Sequence, residues 1–204
     1  MKIPNLVRGA ILALAVFVTA GAIVVPAASA TPEAPYPDVP VTSSYTAQVQ
    51  WMKDSHYTTG IQTSAGIRFK PTAKMTRGSM AAQLYRMYAP DNYTPSSKKP
   101  YKDVTVNSKY YKEITWMKDR GLANGIKNGS KFYSSKKLTR AELSYIGYKL
   151  AAKSGYKAPA TSPFKDVVKT NKFYKTISWM NATKMNTGYS DGTYRPNGGV
   201  NRAQ

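Results

Sequence analysis

Arg77, Arg140 and Arg202 each follow a residue able to cap a helix, namely Thr76, Thr139 and Asn201, which puts each guanidinium at a first helical position. A guanidinium presents a planar fork of donors to a carboxylate, and at a helix start the backbone amides and the positive dipole end favour the same anion. The chemistry on offer is carboxylate recognition, either of a ligand or of an Asp in a neighbouring stretch that clamps the fold; the residues leave both open. One hydrogen bond to a charged group contributes about 1.5 to 3 kcal/mol, so a single Arg holds weakly and several sites gain by avidity. Trp51, Trp116 and Trp179 each precede a Met and lie off the apolar stripe that the Met belongs to. They are expected to be partly exposed, where a ligand can stack, and Arg140 with Trp116 is the preferred pairing.

Other chemistry is scarce. The 204 residues contain no Cys and one His, His56, which excludes thiol nucleophiles and any metal site built from several thiolates or imidazoles of this chain. A hydrolase working by a carboxylate pair needs two placed acids. The glutamates are Glu33, Glu113 and Glu142, of which Glu113 reads as helix surface and Glu142 as a cap. No enzymatic activity, cofactor or metal is expected. Asp191-Gly192 reads as a turn, because Gly tolerates positive φ and Asp bonds its own backbone, whereas a calcium loop needs several oxygen ligands at close spacing.

The elements that position these residues come in three copies. One runs from Asp38 through Trp51, Gly60 and Phe69 to Arg77, the next from Asp103 through Trp116, Gly125 and Phe132 to Arg140, and the last from Asp166 through Trp179, Gly188 and Tyr194 to Arg202. Asp to Trp is 13 residues, Trp to Gly 9 and aromatic to Arg 8 in every copy; only the loop between Gly and the aromatic varies. Such regularity marks tandem repeats. Tyr45, Val49 and Met52 stand at i, i+4, i+7, as do Tyr110, Ile114, Met117 and Phe173, Ile177, Met180, predicting a first helix with one apolar face. A second helix starts at each Thr-Arg or Asn-Arg. Thr139 with Glu142 forms a capping box, Thr76 caps without a reciprocal acid, and Asn201 with Gln204 is a permitted cap. Met80, Leu84, Met87 and Leu143, Ile146, Leu150 supply the apolar faces of the second helices, expected to cover the first helix of the same repeat. Pro-, Ser-, Thr- and Lys-rich stretches separate the copies, which gives repeats at 31–90, 91–155 and 156–204.

Residues 1–30 have the layout of a secretory signal peptide: Lys2 and Arg8, a 17-residue uncharged run from Gly9 to Val25, then Ala28-Ser29-Ala30 before a cut. Cleavage would leave no transmembrane span. Thirty Lys plus Arg against ten Asp plus Glu give a net charge of +20, which favours polyanions. Between residues 98 and 153 there are 14 Lys plus Arg and four acids, so the middle repeat is the most basic. Export directs this charge toward anionic wall polymers and away from nucleic acid.

Tyr36-Pro37-Asp38-Val39, Tyr101-Lys102-Asp103-Val104 and Phe164-Lys165-Asp166-Val167, the Trp-bearing helices, the loop from Gly188 to Gly198, and Thr139-Arg140-Ala141-Glu142 together resemble the S-layer homology domain. The tetrapeptide matches that family's TRAE signature; Thr76-Arg77-Gly78-Ser79 and Asn201-Arg202-Ala203-Gln204 keep the Arg and depart elsewhere. The resemblance implies a mostly helical body of three helix-loop-helix repeats, pseudo-threefold around a central bundle. It also implies noncovalent attachment to an anionic, often pyruvylated, secondary cell wall polysaccharide at a bacterial surface, held in grooves between repeats. Ligand contacts would fall to Arg77, Arg140, Arg202, Trp51, Trp116 and Trp179. The alternative is a structural surface-layer protein that acts by self-assembly. The third copy carries no second helix after Asn201, so Phe173, Ile177 and Met180 are expected to lose their cover and to promote self-association.

Overall fold

The computed structural model describes residues 33–152 and 154–204, so the secretory signal expected over residues 1–30 lies outside the described residues. The described part is largely helical: α1 (Thr46–Asp54), α2 (Arg77–Tyr88), α3 (Tyr111–Asp119), α4 (Arg140–Ala151) and α5 (Tyr174–Ala182), with one two-stranded antiparallel sheet of β1 (Ile61–Thr63) and β2 (Gly66–Arg68). None of these helices is long and apolar enough to cross a membrane.

α1, α3 and α5 carry the predicted stripe, with Val49, Ile114 and Ile177 buried at its centre. They start without a side-chain cap and stop alike. His56, Gly121 and Lys184 adopt left-handed backbone at φ 60, 68 and 60, and their N–H groups donate to the carbonyls of Lys53, Lys118 and Asn181. That geometry satisfies carbonyls the helix end leaves open. α2 and α4 start in reciprocal capping boxes. Contrary to the expectation of a one-sided cap, the Ser79 hydroxyl accepts from the Thr76 N–H at 2.8 Å and completes the first box without an acid.

The carboxylate opening each copy also has a fixed task. Asp38 accepts from the N–H groups of Phe69 and Lys70, Asp103 from Phe132 and Tyr133, and Asp166 from Tyr194 and Arg195, all at 2.7–2.9 Å. Lys70, Tyr133 and Arg195 have φ of 55, 57 and 56, a conformation costing about 1–2 kcal/mol for a residue with a Cβ. The two charge-assisted bonds to each Asp hold it in place.

The stretches preceding the second helices meet at the centre. Met75 N–H donates to the Val200 carbonyl, Val200 N–H to Leu138, and Leu138 N–H to Met75, at 2.8–2.9 Å, closing a ring. All three side chains belong to the main core with Ile114, Trp116, Met117 and Ile146. Around that ring the first amides of each second helix donate to a different stretch of chain: Arg77 and Gly78 to the carbonyls of Lys136 and Ser134, Arg140 and Ala141 to Gly198 and Pro196, Arg202 and Ala203 to Ala73 and Pro71.

This anchoring sends each second helix onto the next copy. α2 packs on α3 and α4 on α5, where pairing within a repeat was expected. Phe173, Ile177 and Met180 are therefore buried, and the loss of cover expected at the third copy is not found there. It falls on α1, in which Val49 is the one buried residue, against four in α3 and six in α5.

Candidate anion-binding site

The three arginines come out differently from one another. Arg77 is 3 % exposed. Its Nη2 donates to Glu142 Oε1 at 2.5 Å and its Nη1 to the Phe132 carbonyl at 2.7 Å, so its fork is filled from within the protein. Arg140, 8 % exposed, donates from Nε to the Tyr194 carbonyl (2.7 Å) and from Nη2 to Asn186 Oδ1 (2.9 Å), and its guanidinium lies against the rings of Tyr189 and Tyr194. Arg202 repeats that pattern with the Phe69 carbonyl (2.6 Å) and Thr58 Oγ1 (3.4 Å). Burial lowers the pKa of Arg202, which is what a cation set into the protein without a carboxylate experiences. The amides beside all three arginines already donate to neighbouring carbonyls, so these helix starts are closed to an outside anion. The Asp expected as a clamp partner is likewise engaged by backbone; the clamp that does form uses Glu142.

Trp116 and Trp179 are 2 % and 6 % exposed, against the expectation of partly open rings. The cause is the packing of second helices on the next copy: Tyr85 of α2 meets Trp116 edge-on with ring centroids 5.9 Å apart, and Tyr148 of α4 meets Trp179 at 5.5 Å. Trp51 is half-buried and contacts Tyr57 of its own copy. The preferred pair, Arg140 with Trp116, therefore offers a ligand neither an open fork nor an open ring.

Asp191 and Gly192 form a tight turn, with Gly192 at φ 80. The Asp191 carboxylate accepts from the N–H and hydroxyl of Thr193 and pairs with Arg195 at 2.8 Å. The Thr193 and Arg195 bonds hold its pKa well below the usual carboxylate range. Asn201 Oδ1 accepts from the Gln204 N–H, and Gln204 Oε1 from the Asn201 N–H, each at 3.0 Å. A reciprocal box of the kind that opens α2 and α4 is thus already closed at that place.

The place where positive charge gathers unpaired lies in the basic middle of the chain. A hollow of about 340 Å³ is lined by Lys99, Lys102, Lys118 and Lys127 around Tyr101. Lys118 comes from the last turn of α3, and the Lys102 N–H fixes the opposite wall by donating to the Ser130 carbonyl at 2.9 Å. The ring of Tyr101 is packed on Phe132, and Lys118 Nζ stands 5.7 Å from its centroid. Burial pushes the Tyr101 hydroxyl up to about 12, with Asp119 and Asp103 adding to the effect.

The nearby acids are occupied. Asp119 accepts from the Tyr93 hydroxyl (2.7 Å) and the Ser96 hydroxyl (2.5 Å), and Asp103 from two backbone amides. The ion pairs among the described residues are Arg77–Glu142 and Arg195–Asp191, which leaves the four lysines without a carboxylate. Sequence reasoning found the charge of this region but not the hollow, since Lys99 and Lys127 meet only through the fold.

Comparison with family models finds the S-layer homology domain at residues 100–144 and again at residues 163–204. No curated protein matches the chain. S-layer homology domains are cell-wall anchoring modules of bacterial surfaces, binding rather than catalytic. The two matched stretches carry the Asp103 and Asp166 turns, α3 and α5, the lysine hollow and the capping-box starts at Thr139 and Asn201, and in these stretches the chain is similar to that family.

Proposed function

We propose that the protein is a noncovalent cell-wall anchor that holds an anionic secondary wall polysaccharide, whose carboxylates, such as those of pyruvyl groups, are met by lysine. The observation that carries this reading is the lysine hollow inside the first of the two S-layer homology matches. Four lysines line this open hollow, and a polyanion docked there offsets their positive charge while displacing counterions. Arg140 and Arg202, whose guanidinium groups donate to carbonyls and neutral side chains within the protein, hold the fold, as does Arg77, and lie outside the polymer site. The reading takes the chain as three repeats at 31–90, 91–155 and 156–204 in pseudo-threefold order, exported by cleavage after residue 30. Support for the threefold order comes from the Met75–Val200–Leu138 ring and the cyclic anchoring of the second-helix starts.

The test is binding of the purified protein to wall sacculi before and after chemical removal of the secondary polymer. The variant in which Lys99, Lys102, Lys118 and Lys127 are all Gln serves as comparison. Binding should depend on the polymer, weaken with salt over a screening length of about 8 to 10 Å, and fall at least about tenfold in the variant with an unchanged melting temperature. Equal binding to stripped sacculi, or full binding by the variant, would refute it.

A further inference from the structure

Asn followed by Gly is a pair with its own chemistry, because the Gly nitrogen, with no side chain to shield it, can attack the Asn side-chain carbonyl. The chain has three such pairs, Asn124-Gly125, Asn128-Gly129 and Asn197-Gly198. Two are held shut. The Gly198 N–H donates to the Arg195 carbonyl at 2.9 Å, and the Gly198 carbonyl accepts from the Arg140 N–H. Gly125 lies under Tyr145, whose ring atoms would stand 2.6 Å from a Cβ there, in the turn that Ile126 and Lys127 close by donating to the Ala123 carbonyl.

Asn128-Gly129 is open. Both residues are exposed, nothing lies within 4 Å of where a Gly129 Cβ would stand, and among the described residues no backbone carbonyl takes the Gly129 N–H. The pair sits in a tight turn with Gly129 at φ 57, closed by the Asn128 N–H donating to the Lys131 carbonyl at 3.0 Å and the Lys131 N–H to the Asn128 carbonyl at 3.1 Å. One exposed bridge of this kind opens at little cost. Positive charge gathers around it: Lys131 closes the turn, and Lys127, Gly129 and Ser130 line the same hollow as Lys99, Lys102 and Lys118. Nearby cations favour both loss of the Gly129 amide proton and the oxyanion that forms on attack.

We propose that Asn128 is a self-modifying site, which deamidates through Gly129 and so lowers the positive charge of the lysine hollow; its effect on wall binding rests on the anchoring function proposed above. The Gly129 nitrogen gives up its proton and bonds to Asn128 Cγ as the Cγ–Nδ2 bond breaks, and the side-chain nitrogen leaves as ammonia. Water then opens the cyclic imide. Opening at Cγ leaves an aspartyl residue at position 128 and opening at the backbone carbonyl an isoaspartyl one, with water as the sole co-reactant. Either product sets a carboxylate between two residues that line the hollow. The isoaspartyl product also adds a carbon to the main chain within the turn whose Ser130 carbonyl accepts from the Lys102 N–H at 2.9 Å, so one wall of the hollow shifts. Attachment therefore weakens as the protein ages.

The full chain is aged in warm, mildly alkaline buffer, and peptide mapping with electron-based fragmentation reads aspartyl and isoaspartyl formation at positions 124, 128 and 197. Position 128 should convert at least about tenfold faster than the other two, whose Gly residues are held by the fold. Equal rates at the three positions, or slower conversion at 128, would overturn the inference whatever the protein does at walls. Binding is read separately, on immobilised polygalacturonate as a carboxylated polysaccharide and on wall sacculi. Asn128→Asp should bind polygalacturonate about two- to fivefold more weakly than the parent, the scale of one exposed charge pair. Asn128→Gln should match the parent, and Lys169→Gln, which removes one charge from the third copy, should lose less than Asn128→Asp. Binding by Asn128→Asp equal to that of the parent or of Lys169→Gln would overturn the effect on the hollow. A parent that holds polygalacturonate in this way but ignores sacculi would refute the anchoring function while the conversion at position 128 stands.

Discussion

Arg77 and Glu142 are 65 positions apart and meet as a buried ion pair, Nη2 to Oε1 at 2.5 Å, and the same carboxylate accepts from the Thr139 N–H through Oε2 at 3.1 Å. One Glu thus closes the start of its own helix and neutralises the Arg that starts the previous one. The places equivalent to Glu142 hold Ser79 and Gln204. Both still complete their boxes, but neither supplies a charge, which is why Arg140 and Arg202 settle on backbone carbonyls and neutral side chains.

Arg77→Ala should lower unfolding free energy by about 3–5 kcal/mol, since it strands a buried carboxylate. Glu142→Gln should also destabilise, because its single amide oxygen can replace only one carboxylate oxygen and its NH2 then faces either the Arg77 Nη2 or the Thr139 N–H, both donors. Urea denaturation measures both, and a loss below about 1 kcal/mol for Arg77→Ala would return the pair to the level of a surface contact.

Gly78 approaches its neighbour closely. A Cβ there would lie 2.4 Å from the Tyr110 ring and 3.1 Å from the Ser134 carbonyl oxygen, so Gly78→Ala should destabilise by about 1–3 kcal/mol through overpacking. Adding Tyr110→Ala should make the Ala at 78 less costly than it is alone. A double-mutant cycle with no coupling would show that the ring does not set the limit.

His56 and Lys184 occupy the left-handed helix-stop position that is Gly121 in the second copy. His56→Gly and Lys184→Gly should each raise stability by about 0.5–1 kcal/mol, the relief of left-handed strain outweighing the entropy Gly adds to the unfolded chain. Gly121→Ala should do the reverse. Thermal unfolding of the three variants gives the signs directly.

Burial works against the charge of Asp38, but the amides of Phe69 and Lys70 outweigh it and hold its pKa below the ordinary 3.8. A carboxylate lowered in the folded state contributes stability above its unfolded pKa and loses it as pH falls through the folded value. Stability should therefore decline below about pH 4, with a gentler decline in Asp38→Asn. Urea midpoints at pH 6 and pH 3 test this; identical pH dependence in parent and variant would dismiss Asp38 as a contributor.

What the sequence determined by itself is local. Helix periods around Val49, Ile114 and Ile177, the boxes at Thr139–Glu142 and Asn201–Gln204, and the Asp191-Gly192 turn arise from residues two to seven apart, whose geometry the backbone sets. Repetition at fixed spacing, with a basic middle, also pointed to the S-layer homology domain. Which copy a second helix covers was not legible, because an apolar face that fits α3 fits its equivalents by the same pattern, and periodicity is blind to choosing between equal partners. The tertiary structure made that choice through the amides of Arg77 and Arg140, donated to the next copy's carbonyls. From it followed the burial of Trp116 and Trp179, the pairing of Arg77 with Glu142, and the open face of α1. Lys99 and Lys127 likewise became neighbours through the packing of Tyr101 on Phe132, because a shared hollow depends on distance in space, which spacing along a chain does not encode.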